Sequence, residues 1–241
     1  MTQPRPLTFP QEGLKFLRTL KRNNNREWFM AHKGTYEVAV KQSMEALIQA
    51  LAEDFRRFAP ELVASPKTSM YRIYRDTRFS KDKSPYKTHV AAFFPTKGLD
   101  KHRGAGLYFH IAPGEVLIGG GVYMPLPEDL NEIRRHIAAN LEDLIAIVEG
   151  RAFRKLFGEL SGERLQRVPR GFPADHPAVE YLKMRQFLAG RRLDPGVATS
   201  GGFYKTLLEA FHGMMPLIRF LNEPILRAQR HQKRQESLLR G

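Results

Sequence analysis

The sequence contains no cysteine. A chain without thiols has no disulfide scaffold, no cysteine nucleophile, no cysteine-ligated zinc and no iron–sulfur cluster. Common cofactor motifs are missing as well, because there is no P-loop, no G-x-S-x-G nucleophile elbow and no H-E-x-x-H zinc motif. Gly104 and Gly106 lack the third glycine of a dinucleotide fingerprint. We therefore expect neither a cofactor nor a metal.

Long apolar runs are also absent, because no stretch approaches the roughly 18 residues that a membrane-spanning helix needs. The opening residues, MTQPRPLTFPQEG, lack the apolar core of a secretory signal. These two observations predict a cytoplasmic protein that has no membrane partner.

Acidic residues are scarce relative to basic ones. The 241 residues include 39 Lys and Arg against 25 Asp and Glu, a formal net charge of +14. Such an excess favours anionic partners such as nucleic acid, phosphorylated small molecules or acidic surfaces. Total charge does not decide the fold, so the distribution of the charges along the chain carries more information.

Helical periodicity dominates the N-terminal part of the chain. Apolar residues at helical spacing follow Pro10, and Asn25 is typical of the N-cap of a second, short helix. A longer helix is predicted after Gly34, ending before Pro60.

The C-terminal part is predicted to be largely helical too. Residues 126–149 have the pattern of one amphipathic helix, with Pro127 in its first turn. The helical pattern from about residue 201 onward contains Pro216 and Pro224, so we expect a kinked or split helix there.

Four short β-rich runs lie between residues 69 and 124, namely 69–75, 87–94, 105–113 and 115–125. Pro113-Gly114 is typical of a hairpin turn and pairs residue 112 with residue 115. This register leaves Tyr108 and His110 on one face and puts six apolar residues on a buried face. The six are Leu107, Phe109, Ile111, Val116, Ile118 and Val122.

These patterns together predict a single α+β domain over residues 1–241. Its antiparallel sheet, formed from about residues 69–124, is expected to be packed by the N-terminal and C-terminal helices.

Positive charge and aromatic rings concentrate between Pro66 and His89. This stretch holds seven Lys or Arg and two Asp, a net charge of 7 − 2 = +5, interleaved with four aromatic residues. Arginine suits phosphate, and aromatic rings suit stacking against bases. Alternatively, ion pairs such as Arg75–Asp76 and Lys81-Asp82-Lys83 organise a long loop. The predicted ligand-binding residues are Arg72, Tyr74, Arg75, Arg78, Lys81, Lys83, Tyr86, Lys87, Tyr108 and Gly119.

Glycines and histidines beside this stretch add two further candidates. In the predicted register Gly119 lies across from Tyr108. Because glycine has no side chain, this position leaves space for a flat ligand or for another backbone. Alternatively, the glycine permits a bulge or strong twist. His89 and His110 are the candidate general acid or base, although a strand histidine is often a satisfied structural residue.

Four sequence blocks, at residues 23–37, 71–89, 104–125 and 171–187, resemble the bacterial and fungal family named domain of unknown function 2461. The blocks are NNNREWFMAHKGTYE, YRIYRDTRFSKDKSPYKTH, GAGLYFHIAPGEVLIGGGVYMP and GFPADHPAVEYLKMRQF. The resemblance covers nearly the whole chain in the expected order, and it implies a single full-length domain. It brings no catalytic or binding residue with it.

Three functions agree with these patterns. The first is binding of a phosphate-bearing ligand or nucleic acid through the basic, tyrosine-rich segment 71–89. The second is an enzyme that acts on a phosphorylated or anionic small molecule, with His89 or His110 as acid–base. The third is a protein-interaction scaffold. A polymer binder is expected to expose its cations over a broad stripe, whereas an enzyme is expected to bury one or two beside a histidine.

Overall fold

The computed structural model describes residues 7–101 and 103–240. The chain is about 52% helical and contains a four-stranded antiparallel sheet flanked by helices. The strands are hydrogen-bonded in the order β1-β2-β3-β4. This architecture confirms the predicted α+β class.

The helices and strands follow one another in this order along the chain. The helices are α1 (Gln11–Arg22), α2 (Arg26–Ala31), α3 (Lys33–Thr35), a π-helix (Tyr36–Gln42), α4 (Ser43–Phe58), α5 (Pro66–Ser69), α6 (Pro127–Ala139), α7 (Leu141–Val148), α8 (Arg151–Phe157), α9 (Val179–Leu182), a 3-10 helix (Pro195–Thr199) and α10 (Phe203–Arg240). The strands are β1 (Val90–Pro95), β2 (Gly106–Ile111), β3 (Val116–Val122) and β4 (Phe187–Leu193).

Two compact units are distinguished within the described residues. The first unit comprises residues 7–94, 108–118 and 191–210. The second unit comprises residues 95–101, 103–107, 119–190 and 211–240. Each of the four strands contributes residues to both units.

The start of the first unit follows the capping signals of the sequence. Helix α1 begins after Pro10, and it buries Leu14, Leu17 and Leu20. The Asn25 side chain accepts a hydrogen bond of 2.9 Å from the backbone N–H of Trp28 at the start of α2. Both predicted helix starts are confirmed.

The long helix predicted after Gly34 is also present, with one local difference. Its first part is the π-helix, a wider turn, and its second part is α4, which ends at Phe58, before Pro60. Helix α4 buries Leu47, Ile48 and Leu51, so the apolar stripe of the sequence is its core face.

The hairpin register is confirmed. The backbone N–H of Ala112 donates to the carbonyl oxygen of Glu115 at 2.9 Å. Tyr108 and His110 are half-buried. The six residues of the predicted core face, Leu107, Phe109, Ile111, Val116, Ile118 and Val122, are fully buried.

Two strand predictions need correction. Residues 69–75 form no strand, because only single bridges occur there, between Met70 and Ala92 and between Tyr74 and Tyr86. The fourth strand of the sheet is instead β4, which lies outside the predicted range of 69–124. The sequence pattern missed β4 because three of its seven residues are glycine or arginine rather than apolar.

Two helix predictions in the second half of the chain also need correction. The stretch 126–149 is not one helix, because Asn140 separates α6 from α7 and its side chain donates to the His136 carbonyl oxygen at 2.8 Å. Helix α10 is not split, since Pro216 and Pro224 both lie inside it. Each proline costs a helix about 3 kcal/mol, and the burial of apolar residues around them offsets that cost. Fully buried examples are Leu217, Leu221 and Ile225.

No helix among residues 7–101 and 103–240 has the length and hydropathy needed to span a bilayer.

Candidate functional site

The basic segment, residues 71–89, folds back on itself within the first unit. Tyr74 and Tyr86 form an antiparallel bridge at its base. The backbone N–H of Arg75 donates to Pro85 at 2.9 Å, and that of Lys87 donates to Ile73 at 2.7 Å. Residues 75–84, between these bonds, form a closed loop that we call the basic loop.

The helices at the start of the chain anchor the base of this loop. The rings of Phe29 and Tyr86 stack with their centroids 4.0 Å apart. The Asn24 side chain donates to the Tyr86 carbonyl oxygen at 2.9 Å and accepts from the Tyr86 N–H at 3.1 Å. Tyr86, which we predicted to bind ligand, is therefore buried and serves as an anchor.

Ion pairs close the basic loop internally. Arg75 pairs with Asp82, Arg78 binds Asp76 at 2.7 Å, and Lys83 donates to the Thr77 carbonyl oxygen at 3.0 Å. These partners differ from the predicted Arg75–Asp76 and Lys81-Asp82-Lys83 pairs, because the fold of the loop brings Arg75 and Asp82 together.

The acids of the loop are stabilised in their charged form. Hydrogen bonds from Arg78 lower the pKa of Asp76. Hydrogen bonds from Ser84 and Arg75 hold the pKa of Asp82 well below its usual range. Both carboxylates are therefore ionised at neutral pH, and the loop keeps its internal pairing there.

The basic loop and the residues that lead into it form a surface that exposes aromatic rings beside cations. Phe79 is 94% exposed and Tyr74 is 58% exposed. The Arg78 guanidinium lies 5.8 Å from the centroid of the Phe79 ring. Arg72 and Lys81 are exposed, and neither has an ion-pair partner in the part of the chain that the structure describes. This face can stack against flat rings while it holds anions.

A groove of about 310 Å³ lies beside the base of the loop in the first unit. Burial raises the pKa of Tyr36 to about 12 and also raises the pKa of Tyr71, so both phenols in the groove stay protonated. The charged lining residues are Lys33, Glu37, Lys41, Glu45, Lys67 and Arg72, and the aromatic ones are Phe29, Tyr36, Tyr71 and Tyr74.

The two candidate histidines lie side by side in the same unit, with ring centroids 5.3 Å apart. His110 is held at both ring nitrogens, because its Nδ1 lies 3.0 Å from the Tyr108 hydroxyl and its Nε2 lies 3.2 Å from Glu115. Glu115 also accepts a 2.5 Å hydrogen bond from Arg192, which lowers the pKa of its carboxyl group. The carboxylate can only accept, so the neutral His110 donates from Nε2 and accepts a hydrogen bond from the Tyr108 hydroxyl at Nδ1.

His89 differs from His110 in its pKa and in its hydrogen-bond partners. Burial, then His110 and Lys87, lower the pKa of His89 to about 4, so its imidazole is neutral at neutral pH. Neither of its ring nitrogens has a hydrogen-bond partner among residues 7–101 and 103–240. Of the two histidines, His110 is therefore fixed by hydrogen bonds at both ring nitrogens, and His89 is the one whose ring nitrogens have no partner among the described residues.

The family model described as conserved hypothetical protein (DUF2461) matches residues 12–220. The chain belongs to the DUF2461 family. This match confirms the resemblance of the four sequence blocks. No curated protein matches the chain.

The matched range of the DUF2461 model contains the basic loop, the groove and both histidines. The family description names no activity, so the function has to be argued from the site. No three His, Asp or Glu side chains of the described residues are grouped so that they could hold a metal ion.

The predicted site residue Gly119 has its neighbours in the second unit. A Cβ atom there would lie 2.5 Å from the Ala189 carbonyl oxygen and 3.0 Å from the Gly190 Cα. The space left by the missing side chain of Gly119 is therefore filled by another backbone and not by a ligand. The close approach of β4 explains why this position is a glycine.

Sequence reasoning missed several residues of this site. Lys33, Tyr36 and Lys67 lie in helical segments outside the basic segment, and only the fold brings them to the groove. Glu115 and Arg192 are separated by 77 positions. The excess of cations around Lys67 was the one signal in the sequence that pointed toward the groove.

Proposed function

We propose that this protein binds single-stranded nucleic acid through the exposed surface of the basic loop and of Arg72 and Tyr74, which lead into it. The observation that carries the proposal is the exposure of Phe79, at 94%, beside exposed cations. Proteins that bind single strands without sequence preference combine aromatic stacking platforms with positive charge that follows the phosphates. Arg72 and Lys81 would bind phosphates, while Phe79 and Tyr74 would stack on bases.

The internal ion pairs of the loop support this proposal. Arg75 and Arg78 hold Asp82 and Asp76, so the loop keeps one shape before a ligand arrives. A preformed loop loses less conformational entropy on binding than a mobile one. The partner would be cytoplasmic nucleic acid, and the net charge of +14 would favour its approach.

The test is binding of fluorescent single-stranded and duplex oligonucleotides across a salt series. We expect the single strand to bind, with an affinity that falls steeply as salt rises. Phe79→Ala should weaken binding by about 5- to 150-fold, because base stacking on an aromatic ring contributes about 1–3 kcal/mol. Lys81→Gln should lower the slope of log affinity against log salt by about 0.7.

Matched controls exist in the second unit. Tyr123 is 63% exposed and Lys155 is exposed, so Tyr123→Ala and Lys155→Gln remove an aromatic ring and a charge elsewhere. Both controls should bind like the unmodified protein. An absence of binding at low salt, or an equal loss in the controls, would contradict the proposal.

A second function is favoured by one specific observation, the unpartnered neutral imidazole of His89 among the described residues. In this alternative the protein is a hydrolase of small phosphate esters. His89 would take a proton from a water molecule as the water oxygen bonds to phosphorus. The bond between phosphorus and the ester oxygen would break, and the alcohol would leave with a proton from solvent. Lys87, whose positive charge contributes to the lowered pKa of His89, would bind the phosphate.

The hydrolysis of p-nitrophenyl phosphate tests this alternative. Activity should disappear in His89→Gln and persist in His231→Gln, since His231 is an exposed residue of α10. The rate should also fall as the pH is lowered toward 4, because protonation removes the base. A lack of turnover in the unmodified protein would leave single-strand binding as the supported function.

A further inference from the structure

Three cations line the groove beside the basic loop without an acidic partner among the described residues. They are Lys33, Lys67 and Arg72, and none of them has an ion pair in the described part of the chain. A groove lined by unpaired cations has a positive potential, which favours the binding of an anion. We propose that this groove binds the terminal phosphate of a nucleic-acid strand, an inference that rests on the single-strand function proposed above.

The charge balance of the groove favours a dianion. Its two acids are Glu37 and Glu45, and Glu37 is neutralised by Lys41 at 2.8 Å. The three unpaired cations then face a single carboxylate, which leaves a net charge of about +2. A terminal phosphate carries about −1.5 to −2 at neutral pH, whereas a phosphodiester within a strand carries −1. The groove therefore matches the end of a strand better than its interior.

Tyrosines complete the recognition of a nucleotide at this place. Tyr36 lines the groove and keeps its proton, since burial raises the pKa of its phenol, so it can donate a hydrogen bond to a phosphate oxygen. Tyr74 lines the groove and is 58% exposed, so one face of its ring is open to a base. The volume of about 310 Å³ lies at the lower end of small-ligand sites, which suits one nucleotide.

The groove is also connected to the surface proposed for single strands. Arg72 and Tyr74 line the groove, and Tyr74 forms the bridge at the base of the loop that carries Phe79. A strand whose end lies in the groove can therefore continue along the loop.

The experiment compares fluorescent single strands of one sequence that end in a 5′-phosphate, a 3′-phosphate or hydroxyl groups only. One phosphorylated end should bind about tenfold tighter or more than the hydroxyl strand, as expected for added charge-assisted hydrogen bonds. The double variant Lys33→Gln/Lys67→Gln should lose this preference. Phe79→Ala should weaken all three strands and keep the preference.

Lys205→Gln is the matched control, because Lys205 is an exposed cation of the same unit outside the groove, and it should keep the preference. A measurement without variants supports the result: adenosine monophosphate should displace the phosphorylated strand at lower concentration than adenosine. Equal binding of all three strands would overturn the terminal-phosphate site alone. Failure of every strand to bind would overturn both this inference and the single-strand function.

Discussion

At the scale of single residues, the side-chain amide of Asn222 forms hydrogen bonds with both backbone groups of Ala105, as a neighbouring strand would. Its Oδ1 accepts from the Ala105 N–H at 2.7 Å, and its Nδ2 donates to the Ala105 carbonyl oxygen at 2.9 Å. The same Nδ2 donates to the Thr96 hydroxyl at 2.8 Å. Asn222 is only 2% exposed, so no solvent competes for these groups.

We predict that Asn222→Ala destabilises the protein by about 2–4 kcal/mol, because an unsatisfied buried polar group costs about 1–3 kcal/mol and a cavity adds to it. Urea denaturation measures the change. Asn131→Ala, at an exposed position of α6, is the control and should change stability by less than about 0.5 kcal/mol. Equal stability of the two variants would show that the Asn222 bonds contribute nothing.

The two histidines illustrate how far sequence reasoning reaches at this scale. Residue type and the position of the strand identified His89 and His110 as a pair of candidates. The sequence had no means to separate them, because the difference lies in partners such as Glu115, which holds His110 but not His89. Hydrogen bonds between side chains require the coordinates of both atoms, so this distinction came from the structure.

At the scale of secondary-structure elements, the glycines of β3 allow the backbone of β4 to approach closely. Gly121 has a φ of +123°, and a Cβ atom there would collide with the Phe187 carbonyl oxygen. Both observations exclude a larger side chain without a shift of the strand.

We predict that Gly121→Ala destabilises the protein by about 2 kcal/mol or more, because a non-glycine residue at such a φ costs about 1–3 kcal/mol before the collision is counted. Gly114→Ala is the control, since nothing lies within 4 Å of a Cβ atom in that hairpin turn and Gly114 has no positive φ. Thermal unfolding compares the two. A Gly121→Ala variant as stable as the control would contradict the close approach of β4.

Element starts and ends were the most predictable part of the fold. Pro10, Asn25 and Pro60 act through neighbours in sequence, so their effects on helix boundaries could be read locally. The strand assignment of 69–75 was wrong, and of the kink or split predicted for α10 the split is excluded, because tertiary packing overrides local preference. Pro216 and Pro224 lie inside one helix, beside fully buried residues such as Leu217 and Ile225.

At the scale of the whole molecule, the net charge of +14 overstates how many cations are available to a ligand. Within the basic loop, Arg75 and Arg78 are bound to acids, and Lys83 is bound to a carbonyl oxygen. The cations open to solvent and without an acidic partner in the described chain include Lys33, Lys67, Arg72 and Lys81. Charge counts along the sequence therefore locate a basic region, and the pairing within the fold decides which charges can bind.

The α+β class, the N-terminal helix boundaries and the family could be predicted from the sequence alone, and the turn residues offered a hairpin register that the structure confirms. Each of these follows from periodicity, capping or motif order, which are properties of neighbouring residues. Tertiary structure alone decided the place of β4, the cations of the groove and the separate roles of the two histidines. The physical reason is distance along the chain: Lys33 and Lys67, or Glu115 and Arg192, meet only after folding, and no local pattern encodes their contact.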